Sequence, residues 1–282
     1  MTETWPPAIP ENIAETVTCA IAEDLGNGDI TAQLIAREKR VTATITSRDD
    51  AILCGRPWAD EVCRQIDTSL TIHWSFADGD QIDADTVIGE VTGSARSILT
   101  AERTMLNFVQ TLSATATQTR KLSRLIEHTE TRLLDTRKTL PGLRLAQKYA
   151  VLCGGGINHR IGLFDAFLIK ENHITASGGI ANAIATARQM HPDRRLEIEV
   201  ESLEQFAEAV HAEPDWIMLD NFSLRDMKAA VDNLNKPIRL EASGGIESGD
   251  DLIKIAETGV DYISVGALTK HVHAVDLSML IV

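Results

Sequence analysis

The sequence predicts an α/β protein in two parts, a small α+β domain followed by a parallel βα barrel. Three observations carry this. From about residue 130 onward apolar strand-like runs alternate with helical stretches, nearly every run ends in polar residues, and the first hundred residues show neither habit. At 282 residues the chain is long enough for one large core or two smaller ones.

In the first part, Asn12 to Glu23 has helical periodicity and is followed by the turn-rich Asp24-Leu25-Gly26-Asn27-Gly28-Asp29. Val41 to Thr46 alternates as a strand does, with further β-like pieces at Thr71 to Ser75 and Val87 to Val91. The stretch from Asp78 to Gly93 has a faint likeness to a biotinyl or lipoyl module but lacks a hairpin lysine to carry the cofactor. A long amphipathic helix, about Ala101 to His128, joins the two parts. The apolar tail, Leu277 to Val282, is too hydrophobic for a free end and is expected to pack back on the small domain.

In the second part the expected strands are Arg132 to Thr136, Ala166 to Lys170, Leu196 to Val200, Trp216 to Asp220, Ile238 to Ser243 and Tyr262 to Gly266. Ser202 and Ser223 precede helical runs as N-caps. The strand ends carry Arg137 and Lys138, Lys170 with Asn172, Glu199, Asp220 with Asn221, Ser243 to Gly245, and Gly266. Six consistent ends place polar groups around one mouth, the C-terminal face of a barrel. In Leu196 to Glu201, three carboxylates share a face that points inward, so they need cations, a metal or ligand hydroxyls; Lys170 and Arg239 are the expected partners.

Composition excludes several classes. A net charge of −14 argues against a nucleic-acid partner. No apolar run approaches the roughly 18 residues that span a bilayer, and Met1 to Asn12 lacks the pattern of a signal peptide. Cys19, Cys54, Cys63 and Cys153 are spaced neither for zinc nor for a disulfide framework, which suits a reducing cytoplasm. Within the acidic chain, Arg132 to Lys170 holds seven Lys or Arg against two acids, a basic island that can bind a small anion in a cleft. Arg144 and Lys148, four apart on a helix, are read instead as a solvated face.

Several motifs bear on chemistry. Arg137 and Lys138 leave a strand at the turn Leu140-Pro141-Gly142 and pair a bidentate anion grip with a point charge. Cys153-Gly154-Gly155-Gly156 precedes Asn158-His159-Arg160. His159 can serve as general acid, carboxylate donor or metal ligand, the last being weakest without a second histidine at ligand spacing. His271 and His273 read as surface residues. The turns Ser243-Gly244-Gly245 and Ser264-Val265-Gly266-Ala267 form a pair suited to a phosphate.

Taken in order, Glu23-Asp24-Leu25-Gly26, Glu102-Arg103, Asp135 through Gly142, Cys153 through Arg160, Leu168 through His173, Glu197-Ile198-Glu199-Val200, Leu219-Asp220-Asn221, Glu241 through Gly245 and Val265 through Leu268 resemble the motifs of quinolinate phosphoribosyltransferases over nearly the whole chain. The resemblance implies an N-terminal α/β sandwich over residues 1–112, joined by the tail 270–282, and an incomplete α/β barrel over 113–269. It implies decarboxylating phosphoribosyl transfer from phosphoribosyl pyrophosphate to quinolinate, with Mg²⁺, in a cytoplasmic homodimer with shared active sites. Quinolinate would meet Thr136, Arg137, His159, Arg160 and Lys170, with Arg103 reaching in from the partner subunit. Lys138, Glu199 and Asp220 would be catalytic, the two carboxylates also serving the metal, directly or not. Phosphoribosyl pyrophosphate would be held by these three together with Asn172, Ser243, Gly244, Gly245, Ser264, Val265 and Gly266.

Relatives associated with molybdenum transport share the fold and leave the ring substrate open. Two other readings compete. One is an aldolase-type barrel with Lys170 or Lys138 as a Schiff-base lysine. The other is a binding or assembly protein that has kept the scaffold without activity.

Overall fold

The structure, a computed structural model, describes residues 7–246 and 248–282; residues 1–6, part of the start read for a signal peptide, lie outside the described residues. In chain order the elements are α1 (Ile13–Leu25), β1 (Arg40–Ser47), β2 (Ala51–Ile52), α2 (Arg56–Ile66), β3 (Thr71–Trp74), β4 (Gln81–Ile82), β5 (Thr86–Ser94) and α3 (Ala95–Leu125). They continue with β6 (Arg132–Leu134), α4 (Arg144–Cys153), β7 (Ala166–Ile169), α5 (Glu171–Ser177), α6 (Ile180–Met190), β8 (Arg195–Val200), α7 (Leu203–Ala212) and β9 (Trp216–Asp220). The last are α8 (Leu224–Asn233), β10 (Arg239–Ser243), α9 (Gly249–Ala256), β11 (Tyr262–Ser264), α10 (Ala267–Lys270) and β12 (Leu277–Ile281).

The chain packs as two units. The first holds the described residues up to Arg120 together with Thr139–Gly155 and Leu268–Val282; the second holds Lys121–Lys138 and Gly156–Ala267. Within the stretch 113–269 expected for the barrel, α4 is grouped with the first unit. The reason lies in its side chains: Ala146, Tyr149, Ala150 and Cys153 join the core made by Trp58, Val62, Met105 and Leu112. Lys148, expected on a solvated face, is instead buried on this helix.

In the first unit an antiparallel sheet runs β12-β1-β5-β3. β1 alternates so that Ala43 and Ile45 enter the core, and β12 adds Leu277 and Met279 beside it, so the apolar tail is a sheet strand. α3 begins directly after β5, six residues earlier than the periodicity suggests. It turns Ile98, Ala101, Met105 and Leu112 inward. His271 and His273 are exposed, as expected of surface residues.

The second unit is a six-stranded parallel sheet in the order β6-β11-β10-β9-β8-β7. Its end strands β6 and β7 do not pair with each other, so the barrel is incomplete. The strands follow the expected runs closely, with β9 matching throughout. Ser202 and Ser223 cap α7 and α8 as expected, accepting from the N–H of Gln205 and Asp226, and Ser248 caps α9. Parallel strands carried by such βα units all leave the sheet at the same edge, which gathers their ends.

Candidate active site

At that edge a cavity of about 260 Å³ is lined by Thr136, Arg137, Lys138, His159, Arg160, Lys170, Glu199, Asp220, Ser243 and Ser264, with Leu168, Met218 and Glu241. Ten of the residues singled out in the sequence thus converge from all six strands and the segment after Gly156. Asn172 does not line the cavity; it lies exposed on α5, where its amide donates to Glu171. Arg103 belongs to the first unit, exposed on α3.

The cationic wall is built on a buried anchor. Asp135, at the end of β6, is wholly buried and accepts from the His159 N–H (2.8 Å) and the Asn158 amide (2.7 Å). Beyond Arg160, Asp165 accepts from the N–H groups of Ile161 and Gly162 at 2.7 and 2.9 Å. Burial pushes the Asp165 carboxyl up, but these two bonds outweigh it and hold it below its usual value. Arg160 is fastened on both sides, and its guanidinium is held below its ordinary pKa by burial and by the neighbouring Arg137. The Arg137 Nε is buried without a hydrogen-bond partner. Two guanidinium groups that repel each other in a cleft call for an anion between them.

Across the cavity, Lys170 meets Glu199 in an ion pair. Burial raises the Glu199 carboxyl; Lys170 opposes this, and Asp220 and Glu171 add to it. Glu201 is exposed beyond the end of β8. Arg239, expected as an inward partner of this strand, instead pairs with Asp261 at 2.5 Å on the exposed side. The register accounts for this: Arg239 opens β10, opposite Trp216 at the start of β9, far from the strand ends.

The glycine turns lie side by side, because β10 and β11 are paired neighbours. Ser243 and Ser264 face the cavity, whereas Gly244, Gly245, Val265 and Gly266 lie just outside its lining. A Cβ on Gly244 would sit 2.1 Å from the Asn221 Oδ1, and its φ of +85° already excludes an ordinary side chain. A Cβ on Gly266 would come within 2.9 Å of the Lys138 side chain, so the absence of one lets that lysine lie across the turn.

Glu197 is one of the three carboxylates expected to face inward and need a partner, whereas the sequence singles out no role for Glu241. Both are fully buried, and their carboxylates approach the His159 Nε2 at 2.8 and 3.2 Å. Burial and the Glu241 charge push Glu197 up to about 7; Glu241 is also pushed up by burial, but His159 holds it below its usual value. Burial pulls His159 down, and the two carboxylates push it up more strongly. The Arg160 N–H donates to Nδ1 at 2.7 Å, and because a second ring proton would break that bond, the geometry holds the ring neutral with its proton on Nε2 against this upward pull. The available signal was an acid set inside an apolar strand, as in Leu240-Glu241-Ala242.

Models of the N-terminal and C-terminal domains of quinolinate phosphoribosyl transferase match residues 29–113 and 115–280. The chain belongs to the quinolinate phosphoribosyltransferase family. It is 40% identical over 266 residues, 93% of this chain and 90% of the relative, to a probable carboxylating nicotinate-nucleotide pyrophosphorylase of Synechocystis. A Bacillus subtilis protein of the same description is 40% identical over 258 residues, 91% of this chain and 89% of its own. Among solved structures, the nicotinate-nucleotide pyrophosphorylase of Francisella tularensis superposes with a TM-score of 0.94 at 50% identity, covering 98% of both chains. The fold of this phosphoribosyltransferase family, a small antiparallel-sheet domain and an open parallel barrel, is the one described above.

Proposed function

We propose that the chain joins quinolinate to phosphoribosyl pyrophosphate, releasing pyrophosphate and CO₂ and yielding nicotinate mononucleotide, a step of NAD biosynthesis. The observation that carries this is the Arg137–Arg160 pair, two guanidinium groups crowded together in the same cavity as the carboxylates of Glu199 and Asp220. The first suits the adjacent carboxylates of the ring. The second suits a sugar that becomes positive as pyrophosphate leaves.

The pyridine nitrogen attacks the anomeric carbon while the bond to pyrophosphate breaks. Glu199 and Asp220 stabilise the charge on the sugar, and Lys138 and the turns after β10 and β11 hold the phosphates. Once the ring nitrogen is quaternary its positive charge stabilises the electron pair left on C2 as the 2-carboxylate departs as CO₂, and a proton from solvent then takes that position. No protein nucleophile is needed; the chain's task is positioning and electrostatics. Glu199 and Asp220 form an oxygen-donor set whose mutual repulsion a hard cation relieves, so they fit Mg²⁺. When bound there, Mg²⁺ neutralises charge on the leaving pyrophosphate.

A homodimer with shared sites is supported by β7, a sheet edge, and by the exposure of Leu163, Phe164 and Met190 (75, 74 and 63%) in the same unit. Arg103, exposed on α3, is then the group a partner subunit would supply. Four free cysteines suit the cytoplasm, and among the described residues no helix is long and apolar enough to cross a membrane. The Schiff-base alternative fits less well, since Lys170 is engaged by Glu199 and Lys138 is exposed. Incubating the folded protein with quinolinate, phosphoribosyl pyrophosphate and Mg²⁺ should release CO₂ and the mononucleotide together. Folded protein that yields neither would overturn the assignment.

A further inference from the structure

The cavity's floor contains more negative charge than the chemistry above uses. Glu197 on β8 and Glu241 on β10 flank β9 and point to the same side of the sheet. Two wholly buried carboxylates are costly unless something engages them. Their common neighbour is His159, whose Nε2 lies between them, and all three ligand atoms fall within 4.8 Å of one another. Below them, Trp216 stacks on Tyr262 at 4.3 Å and Arg195 lies over Trp216 at 4.3 Å.

The other edge of the imidazole accepts the backbone N–H of Arg160, while the His159 N–H is tied to Asp135. With Nε2 turned to the carboxylates and Nδ1 to the backbone, the ring connects the barrel floor to the start of the cationic wall. We propose that Glu197 and Glu241 are positioning residues: by engaging Nε2 they fix the His159 ring with Nδ1 on the Arg160 N–H, and so set where the Arg160 guanidinium meets a substrate carboxylate. His159 in this arrangement acts on the anion through Arg160 and not as its direct donor. The two glutamates act only through His159.

The inference rests on the quinolinate reading for its kinetic test but not for its spectroscopic one. Nitrogen NMR of histidine-labelled wild-type protein, with His159 assigned by its loss in His159→Gln, should show one protonated ring nitrogen, Nε2, and an unprotonated Nδ1 at neutral pH. A ring protonated at Nδ1 would overturn the proposal whatever the substrate proves to be. In kinetics, Glu241→Gln keeps the shape of the side chain and removes its charge. Displacement of a supporting group commonly costs about tenfold or more. We therefore expect the KM for quinolinate to rise at least about tenfold in Glu241→Gln and Glu197→Gln, with kcat and the KM for phosphoribosyl pyrophosphate within about threefold of wild type. An unchanged quinolinate KM would overturn the proposal, as would equal losses for both substrates. Wild-type protein that does not turn over quinolinate at all would defeat the functional reading while leaving the nitrogen spectrum to decide the ring's orientation.

Discussion

Replacing Asp135 by alanine should cost more stability than any substitution at the exposed polar residues of the cavity. The carboxylate is wholly buried and accepts at 2.8 Å from the His159 N–H and at 2.7 Å from the Asn158 amide. His159 is itself buried, so its N–H would be left without water, a penalty of about 1–3 kcal/mol. Losing the second charge-assisted bond adds about 1.5–3 kcal/mol, and removing a buried charge returns part of the total. A net loss of about 3 kcal/mol follows. Asp135→Asn keeps one acceptor for the His159 N–H and should lose only about 1 kcal/mol, because Asn158 can turn its amide to match. Urea unfolding of the three proteins, compared at equal m-value, measures both differences. A loss below about 1 kcal/mol in the alanine variant would refute the reasoning that this carboxylate anchors the loop.

Three further outcomes follow from particular residues. If Arg103 completes a partner's site, Arg103→Ala and Arg137→Ala dimers should each be nearly inactive, yet mixing them under subunit exchange should restore activity to about a quarter of wild type, with half the dimers mixed; exchange without recovery rules out sharing. Thiol titration of native protein should find Cys19 alone, since it is exposed while Cys54, Cys63 and Cys153 are buried and burial pushes Cys63 up to about 12; fast reaction of a second thiol in native protein would contradict the packing. The depressed Asp165 carboxyl contributes stability that is present above its unfolded value of 3.8 and lost as pH falls through the lower folded value. Asp165→Asn should therefore flatten the acid limb of the stability profile below that pH, and an acid limb as steep as wild type would contradict the role.

The strand ends were legible because apolar residues precede polar ones in each unit, a pattern that survives without knowledge of tertiary contacts. β8 went further: its alternation puts Glu197, Glu199 and Glu201 on one inward face with Lys170 among the expected partners, and Lys170 does pair with Glu199, while Glu201 lies exposed past the strand end. What sequence could not supply was the choice among partners distant in the chain. Arg239 was expected to turn inward but lies at the start of its strand, where Asp261 is the neighbour. His159 was read for its side chain alone, whereas register across β8, β9 and β10 decides that two glutamates reach it. Lys148 looked solvated from its spacing to Arg144, but its helix is packed on several sides, so an i, i+4 pair of cations said nothing about exposure. The packing of α4 with the first unit likewise depends on contacts distant in the chain.

The central claim is that the cationic wall of Arg137 and Arg160 is built for a ring bearing two adjacent carboxylates. The most direct measurement compares kcat/KM for quinolinate and for nicotinate with the same protein, phosphoribosyl pyrophosphate and Mg²⁺. Nicotinate would leave a guanidinium unpaired in a closed site, at a cost of about 3 kcal/mol or more, so quinolinate should be favoured by at least about a hundredfold. Comparable values for the two acids would contradict the account.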